Sequence, residues 1–549
     1  MPALTQVEAQ QRAETITVAS YHVRLDLTDA GDTFSATTTA RFTARPGAAT
    51  FVDLKPHQLR RVTLNGEALT AECVDGRIEL SGLAADNELV VEATMRYSND
   101  GEGLHRHTDP ADGQRYLYAM SFLDAAPRWF ACFDQPDLKA VWTMEVVCPP
   151  EWTVAGNAPA RRIAPGHWRM ATEHPLSSYL VTLIAGPYRT ATAVHDGIPL
   201  ALHARASRAA ELDAQAPALL ALTGDCLDEF HRLFGIRYPW GEYHQAFVPD
   251  FNAGAMENAG CVTLDDALLF RSRVTDAELT RRASTIAHEM AHMWFGDLVT
   301  MRWWDDLWLN ESFAEYLGNR VCDEVTDYPS WVDFGIDRKA WGYAADRRPS
   351  THPVAGNGAA DTARALTNFD GISYAKGASV LAQLAAHLGD ATFLSGLRRH
   401  FAAHAYGNAR FGDLIAAWTG VGAAGLPAWA DGWLRSAGVD TLRVDTDGAL
   451  VREPAPEPSA GAVRAHTVSV VGYAASGEPI SRRRVTVGAP AASPAPSDGA
   501  LPPPRDGSAL RSDAASPAPP RAALVLADAD DETWAKVALA NAEWARMPE

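Results

Sequence analysis

Residues 275–296 read TDAELTRRASTIAHEMAHMWFG, and this stretch predicts a helix with two histidines on one face. Thr275 and Glu278 have the spacing of a capping box, which marks the start of a helix, and apolar residues follow at helical spacing. Because residues four apart share a face of a helix, His288 and His292 can reach a single metal ion. The stretch therefore predicts a metal-binding helix.

The other candidate metal-site residues are acids on this helix and beyond it. Glu289 lies beside the first histidine, where it can accept a proton from a metal-bound water. Glu311, within WLNESFAEY, follows His292 after 18 intervening residues, and a second helix running back along the first would bring it to the metal. Three protein ligands and one open position are typical of catalytic zinc. Iron accepts the same ligand types, but oxygenase triads usually have another spacing, so we predict one Zn²⁺ per chain.

Glu315 lies one helical turn after Glu311 and has two interpretations. It could hydrogen-bond a ligand histidine from behind, as carboxylates do in many zinc sites. It could equally be an exposed helix carboxylate with no part in the site. Both interpretations fit the sequence.

Composition disfavours several classes of protein. The 549 residues carry a net charge of −20, which disfavours nucleic acid and anionic membranes as partners. We find no signal peptide at the start and no run approaching the ~18–20 apolar residues that cross a bilayer, so we predict a cytoplasmic protein. Its six cysteines are far apart and form no CxxC pair, which predicts free thiols.

Hydrophobic periodicity divides the chain into three regions and predicts a multidomain α+β fold. Strand-like runs dominate residues 1–190, helical periodicity dominates 191–437, and strand-like runs return in 438–549. Residues 489–520 are rich in Pro, Ala, Ser and Asp, and we predict a disordered loop that interrupts the last region. The predicted helices of the middle region include 276–295, 306–323, 374–388, 390–404 and 411–420.

Several segments resemble the aminopeptidase N family of zinc metallopeptidases. HEMAH followed by WLNE is similar to the family's zinc motif, and ISYAKGASVL at 372–381 resembles the segment that carries its catalytic tyrosine. The family's exopeptidase signature resembles Gly254, Ala255, Met256, Glu257 and Asn258. The resemblance implies an N-terminal β saddle (1–190), a thermolysin-like, mostly helical catalytic domain (191–437) and a C-terminal β-sandwich (438–549).

The resemblance also implies an activity and the residues that perform it. Glu257 would bind the free α-amino group of a peptide, and Tyr374 would stabilise the oxyanion. Gly254 and Ala255 would present backbone groups to an extended substrate. With Glu289 as general base toward a metal-activated water, the implied reaction removes the N-terminal residue from peptides. We therefore expect a zinc aminopeptidase, acting as a monomer on peptides with a free N-terminus.

Two departures from the family pattern bear on specificity. Many relatives carry Gln or Glu ahead of the CFDQP segment, and this residue helps to bind the amino group. Here Met120 and Phe122 occupy the aligned positions, so we expect a more apolar first pocket, weaker amine anchoring and narrowed or altered specificity. Relatives also continue into a large helical domain, whereas this sequence stops at Glu549. We expect either a more open site or a fragment or decayed paralogue.

Two alternative functions stay open. An endopeptidase or epoxide-type hydrolase could use the same zinc site, and weak amine anchoring favours it. A catalytically weak peptide-binding paralogue could retain the fold, although the complete set of metal and catalytic residues argues against it. Comparing free with N-acetylated peptides distinguishes these possibilities from an aminopeptidase.

Overall fold

The structure is a computed structural model, which describes residues 3–445, 449–457, 459–488 and 522–539. Within these ranges strands dominate the N-terminal region, helices the middle of the chain, and strands the last part. The prediction of a multidomain α+β fold is confirmed at this level. The detailed domain types and their bounds, 1–190, 191–437 and 438–549, stay predictions.

A short helix precedes the first strand. Helix α1 covers Gln6–Thr15, and Thr5 and Glu8 form a capping box at its start, with the Thr5 amide donating to Glu8 at 2.9 Å. The sequence prediction lacks this helix because its residues are mostly polar and give no apolar periodicity.

Three sheets make up the N-terminal region. Their strands are β1 Ile16–Asp26, β2 Thr33–Ala44, β3 Thr50–Asp53, β4 Gln58–Leu64, β5 Glu67–Ala68, β6 Arg77–Leu80, β7 Asp86–Arg96, β8 Gly103–Thr108, β9 Arg115–Met120, β10 Val141–Val147, β11 Thr153–Gly156, β12 Arg161–Ala164, β13 His167–Ala171 and β14 Leu183–Gly186. The largest sheet has the order β12-β13-β10-β1-β2-β7-β4-β5, and within it β1 and β10 are parallel. A second sheet has the order β11-β14-β9-β8, and β3 pairs with β6.

A five-stranded sheet connects this region to the helices. Its strands are β15 Arg189–His195, β16 Ile198–Ala204, β17 Tyr243–Val248, β18 Ala255–Met256 and β19 Cys261–Asp265. The order is β15-β16-β17-β19-β18, with β16, β17 and β19 parallel and β18 antiparallel to β19. The short strand β18 is therefore an edge strand, which leaves one side of its backbone available for pairing.

Ten further helices and a small strand pair form the middle region. The helices are α2 Ala209–Phe234, α3 Asp276–Ala291, α4 Trp308–Val325, α5 Ser330–Asp333, α6 Lys339–Asp346, α7 Thr362–Leu366, α8 Gly377–Leu388, α9 Asp390–His404, α10 Phe411–Thr419 and α11 Leu426–Trp433. Strands β20 Thr300–Met301 and β21 Asn408–Ala409 pair in parallel. The capping box predicted at Thr275 and Glu278 is present, with the Thr275 amide donating to Glu278 at 2.8 Å.

The predicted end of helix α3, which carries His288, is wrong. Helix α3 ends at Ala291, whereas the prediction continues to residue 295. Beyond Ala291 the chain takes wider turns, in which the Asp297 amide donates to the carbonyl of His292 at 3.1 Å. His292 keeps helical backbone angles, so it still shares a face with His288.

The predicted start of the helix at residue 374 is also wrong. Helix α8 begins at Gly377, and Tyr374 instead lies in a π-helical turn, Ile372–Lys376. The Lys376 amide donates to the carbonyl of Gly371 at 3.0 Å, which closes the wider π-type ring. Such turns occur often at functional sites.

In the part of 438–549 that the structure describes, the strands form two three-stranded sheets. Their strands are β22 Asp440–Val444, β23 Leu450–Glu453, β24 His466–Tyr473, β25 Pro479–Val487, β26 Leu524–Ala527 and β27 Ala535–Ala538. The orders are β23-β22-β27 and β25-β24-β26. Leu442 and Leu450 from one sheet share a small apolar core with Val468 and Val470 from the other. The predicted loop at 489–520 lies outside the described residues.

Two further predictions concern cysteines and membranes. All six cysteines are free thiols, five of them buried and Cys73 half-buried, as predicted. No helix within the described ranges is long and apolar enough to cross a bilayer.

Candidate metal centre

The two motif-bearing helices, α3 and α4, run antiparallel and approach each other closely at the site. A Cβ atom on Gly318 would lie 2.7 Å from the Cα atom of His288, so only glycine fits there without displacing the helices. A Cβ atom on Gly377 would likewise overlap the hydroxyl of Ser312, which donates to the carbonyl of Ser373 at 2.6 Å. These contacts hold α3, α4 and the π-helical turn together.

The three predicted metal ligands meet at one point. The Nε2 atoms of His288 and His292 are 3.1 Å apart, and Glu311 Oε2 lies 3.6 Å and 3.5 Å from them. A tetrahedral zinc with ligands at 2.0–2.2 Å requires donor atoms roughly 3.3–3.6 Å apart. The donor types fit zinc, and the two distances to Glu311 fall in this range, while the two Nε2 atoms are 0.2 Å closer than its lower bound.

The other ring nitrogens of the histidines already have partners. His292 Nδ1 donates to the carbonyl of Phe295 at 2.9 Å, and His288 Nδ1 faces Glu315 Oε2 at 3.4 Å. These partners leave both Nε2 atoms for a metal, which is the usual arrangement around ligand histidines. Because Glu315 is buried, its interpretation as an exposed carboxylate is wrong.

Two more carboxylates lie beside the donor set. Ligand atoms of Glu257, Glu289 and His292 fall within 4.8 Å of one another, and all three residues are buried. Burial raises the pKa of Glu257 and of Glu289, although the neighbouring histidines oppose the shift. The site therefore holds both a general-base candidate and a second acid directly at the metal position.

The charge balance of the donor set follows from the same contacts. Burial opposes protonation of His288, but hydrogen bonds to Glu311 and Glu315 outweigh it and raise the pKa of His288 to about 9. Metal ligands must be deprotonated, so loading a cation releases the protons that these histidines otherwise retain.

Tyr374 lies beside the donor set. Its half-buried ring lies 6.2 Å from that of His288, and the two ring planes differ by only 13°. Burial and the neighbouring carboxylates of Glu311 and Glu257 raise the pKa of Tyr374. The phenol therefore stays protonated and can donate a hydrogen bond.

The signature at 254–258 runs along the edge strand β18 into the site. Gly254 is exposed and accepts a hydrogen bond from the Asp265 amide at 3.0 Å, and Ala255 is half-buried. Met256 and Asn258 are buried on either side of Glu257. The edge strand β18 thus leads directly into the buried Glu257.

The residues that depart from the family pattern form part of an aromatic cluster. Phe122 is half-buried and packs edge-on against Tyr179, Trp304 and Phe369, with ring centres 5.2–5.6 Å apart. The Phe369 ring is in turn 6.4 Å from that of Tyr374. Met120 ends β9 and is also half-buried.

Three residues near the site have no counterpart in the sequence prediction. Arg338 binds Glu315 through two hydrogen bonds, and Lys139 donates to the carbonyls of Asp297 and Leu298 at 2.9 Å and 3.4 Å. Asp297 is fully buried, and neither carboxylate oxygen finds a hydrogen-bond partner among the described residues. Only Lys139 lies near a segment used in the sequence analysis, since it follows CFDQP at 132–136 by three residues.

Comparisons with known proteins agree with these motifs. The peptidase family M1 domain matches residues 219–433. Aminopeptidase N of Streptomyces lividans is 45% identical over 497 residues, which is 86% of this chain and 58% of that protein. Tricorn protease-interacting factor F2 of Thermoplasma acidophilum is 29% identical over 399 residues, 71% of this chain and 50% of that protein. The mitochondrial Aminopeptidase 2 of Saccharomyces cerevisiae is 33% identical over 381 residues, 67% of this chain and 39% of that protein.

The chain thus spans about half the length of the relatives it matches. The matched domain nevertheless contains the residues from Gly254 through the metal ligands to Tyr374, whereas Met120 and Phe122 precede it. The motifs, the arrangement of the donor set and the similarity over most of the chain lead to one family: the chain belongs to the aminopeptidase N family, peptidase family M1.

Proposed function

We propose that this protein is a zinc-dependent aminopeptidase that removes the N-terminal residue from peptides. The observation that carries the proposal is the meeting of two sets of buried or half-buried side chains at one point. His288, His292 and Glu311 form a zinc-type donor set, and the carboxylates of Glu257 and Glu289 lie against it. One set suits a cation, and the other suits proton transfer and amine binding.

The donor set would hold one Zn²⁺ per chain. Bound zinc supplies Lewis acidity, which polarises a carbonyl and lowers the pKa of a water ligand toward ~7. Glu289 accepts a proton at its carboxylate and later passes it to the leaving amine. Tyr374 donates a hydrogen bond to the substrate carbonyl oxygen as negative charge develops there, a contribution worth roughly 3–4 kcal/mol for a well-placed donor.

Binding of the substrate's α-amino group to Glu257 would restrict cleavage to the first peptide bond. Its carboxylate lies close to that of Glu289, so an ammonium group bound to it would place the first peptide bond beside the general base. The edge strand β18, which leads into Glu257, would pair with the extended peptide and fix its direction. An N-terminal amine is therefore the expected recognition element.

The aromatic cluster supports a preference for substrates with an apolar first residue. Phe122, which contacts Tyr179, Trp304 and Phe369, presents an apolar wall rather than a second polar anchor for the amine. The same observation favours a second candidate function, cleavage of peptides whose N-terminus is blocked. The free thiols support a reducing compartment such as the cytoplasm, and we retain a monomer as part of the proposal.

The test compares the wild-type protein with Glu289→Gln, which keeps the size of the side chain. We expect one zinc per chain in both proteins, and a kcat on amino-acid anilides lowered by about 10²–10⁴-fold in the variant. Metal analysis and a panel of free and N-acetylated substrates provide the measurements. Zinc binding without release from any free-amine substrate, or equal cleavage of acetylated peptides, would contradict the aminopeptidase proposal.

A further inference from the structure

Arg338 lies behind the metal centre and is bound to it through Glu315. It ends a π-helical turn, Phe334–Arg338, between α5 and α6. Its Nε atom donates to Glu315 Oε1 at 2.6 Å, and its second terminal nitrogen donates to Oε2 at 3.1 Å. Such two-point binding fixes the orientation of a carboxylate more firmly than a single contact does.

Glu315 transmits this orientation to a metal ligand. Its side chain is only 6% exposed, and its Oε2 atom lies 3.4 Å from His288 Nδ1. A buried carboxylate needs a compensating charge, and Arg338 provides it from a side chain that is 37% exposed. The guanidinium thus neutralises Glu315 while the carboxylate holds the His288 ring.

The same guanidinium also lies over two aromatic rings. Its central carbon is 4.7 Å from the ring centre of Trp341 and 5.6 Å from that of Tyr374. A planar, delocalised cation can stack on rings while its edge binds a carboxylate, and an ammonium group cannot do both. One side chain therefore contacts the support of His288 and the ring of Tyr374.

We propose that Arg338 is a positioning residue that fixes the relative positions of two parts of the metal centre. One part is the Glu315–His288 pair, and the other is the ring of Tyr374. The Glu315 part requires only that the donor set binds zinc. The Tyr374 part rests on the proposed aminopeptidase function, because it is visible only as turnover. Judged by its exposure alone, Arg338 would form an ordinary surface ion pair, and such pairs contribute little to the free energy of unfolding.

The first experiment measures zinc affinity by competition with a chromogenic chelator. We compare wild type, Arg338→Met, Arg338→Lys and the control Arg347→Met, whose arginine packs on the Tyr343 ring at 6.0 Å and donates to the Tyr343 carbonyl. We expect Arg338→Met to bind zinc 10–100-fold more weakly, as for other partners of ligand histidines, and Arg338→Lys to fall in between. Equal affinities for Arg338→Met and Arg347→Met would overturn the Glu315 part.

A double-mutant comparison separates positioning from general loss of folding. In a Glu315→Gln background, Arg338→Met should cause no further loss of zinc affinity, because Arg338 acts on His288 only through Glu315. Additive losses would show that Arg338 acts elsewhere and would overturn the proposal. Thermal unfolding of the zinc-free variants identifies any protein that fails to fold.

The second experiment measures kcat and KM on an amino-acid anilide at saturating zinc. Arg338→Met should lower kcat about tenfold with KM little changed, and should have no further effect in a Tyr374→Phe background. A loss of kcat that persists in that background would overturn the Tyr374 part. If the wild-type protein binds zinc but releases no product, the proposed function fails while the zinc measurements still decide the Glu315 part.

Discussion

At the scale of single residues, Phe122 is the side chain that we propose sets the character of the first substrate pocket. Its ring packs edge-on against three aromatic neighbours, and edge-on pairs of this kind contribute about 0.5–1.5 kcal/mol each beyond their buried area. A polar anchor for an amine could occupy this position only by giving up those contacts. The proposed pocket would therefore combine apolar walls with a single carboxylate, Glu257, for the ammonium group.

Restoring a polar group at these positions should strengthen amine binding. We expect Met120→Gln or Phe122→Glu to lower KM for an amino-acid anilide roughly tenfold, which corresponds to ~1.4 kcal/mol. Steady-state kinetics are compared with the apolar controls Met120→Leu and Phe122→Leu. An unchanged KM in both polar variants would count against the assignment of these two residues to the pocket.

The sequence could predict those site residues that lie at short, regular spacings along the chain. His288, Glu289 and His292 share a helix, so the 3.6-residue period places them, and Glu311 needs only one reversal of the chain. Arg338 lies 23 residues beyond Glu315 in an irregular turn and follows no periodic pattern. Its contact with Glu315 exists only once α4, α5 and α6 have packed.

At the scale of elements, the distance between α3 and α4 sets the spacing of the ligands. His288 and His292 come from one helix and Glu311 from the other, so any separation of the helices enlarges the donor set. Gly318 is the point of closest approach, against the backbone of His288. The glycine has no Cβ atom, and this absence allows the short interhelical distance.

The variant Gly318→Ala should weaken zinc binding without touching a ligand. The added methyl group would meet the His288 Cα atom at 2.7 Å, so we expect at least tenfold weaker zinc affinity and a loss of about 1–3 kcal/mol in stability. Gly412→Ala, whose Cβ atom would meet nothing within 4 Å, is the matched control. Equal zinc affinity for the two variants would show that helix spacing does not limit the site.

The helix ends show why element bounds were only partly predictable. The start of α3 is set locally by Thr275 and Glu278, and the prediction of this cap is confirmed. Its end is set by distant contacts, since Lys139 from the N-terminal region binds the carbonyls of Asp297 and Leu298 in the following turn. Burial lowers the pKa of Lys139 to about 7, against the attraction of Asp297. Such a contact leaves no trace in local periodicity.

At the scale of the whole molecule, buried polar contacts join regions that periodicity separates. Lys376, two residues after Tyr374, lies 3.0 Å from Asp346, and both side chains are fully buried. Trp534, next to β27, donates to the same carboxylate at 3.0 Å. The order of the regions could be predicted from strand and helix periods, but this junction could not, because single Lys, Asp and Trp residues carry no pattern.

A second buried polar group lies in the central five-stranded sheet and should govern stability in acid. His203 on β16 and His244 on β17 face each other, with Nε2 and Nδ1 3.2 Å apart. Burial, with repulsion from His244, lowers the pKa of His203 to about 3, and burial lowers that of His244 to about 4. Glu242, 3.7 Å from His244, shifts the other way, because burial raises its pKa to about 7.

The sign of the effect follows from where the protons bind. As pH falls below 6.5, the unfolded chain protonates His203 while the folded protein does not, so stability that is complete above pH 6.5 is lost progressively toward pH 3. Replacing His203 by Gln removes this loss of stability. The contribution of Glu242 remains, and it changes stability in the opposite direction as pH falls. Between pH 6.5 and 4.5, wild type should therefore lose about 2–3 kcal/mol more stability than His203→Gln, at ~1.4 kcal/mol per pH unit.

Urea unfolding of the zinc-free proteins at each pH measures this difference without a contribution from metal release. The variant His57→Gln, which removes an exposed ring, is the matched control. Parallel stability curves for His203→Gln and wild type would mean that the pair is protonated in the folded sheet. In that case the two histidines would have to share their charge with Glu242, and the five-stranded sheet would contain an ion pair rather than a neutral hydrogen bond.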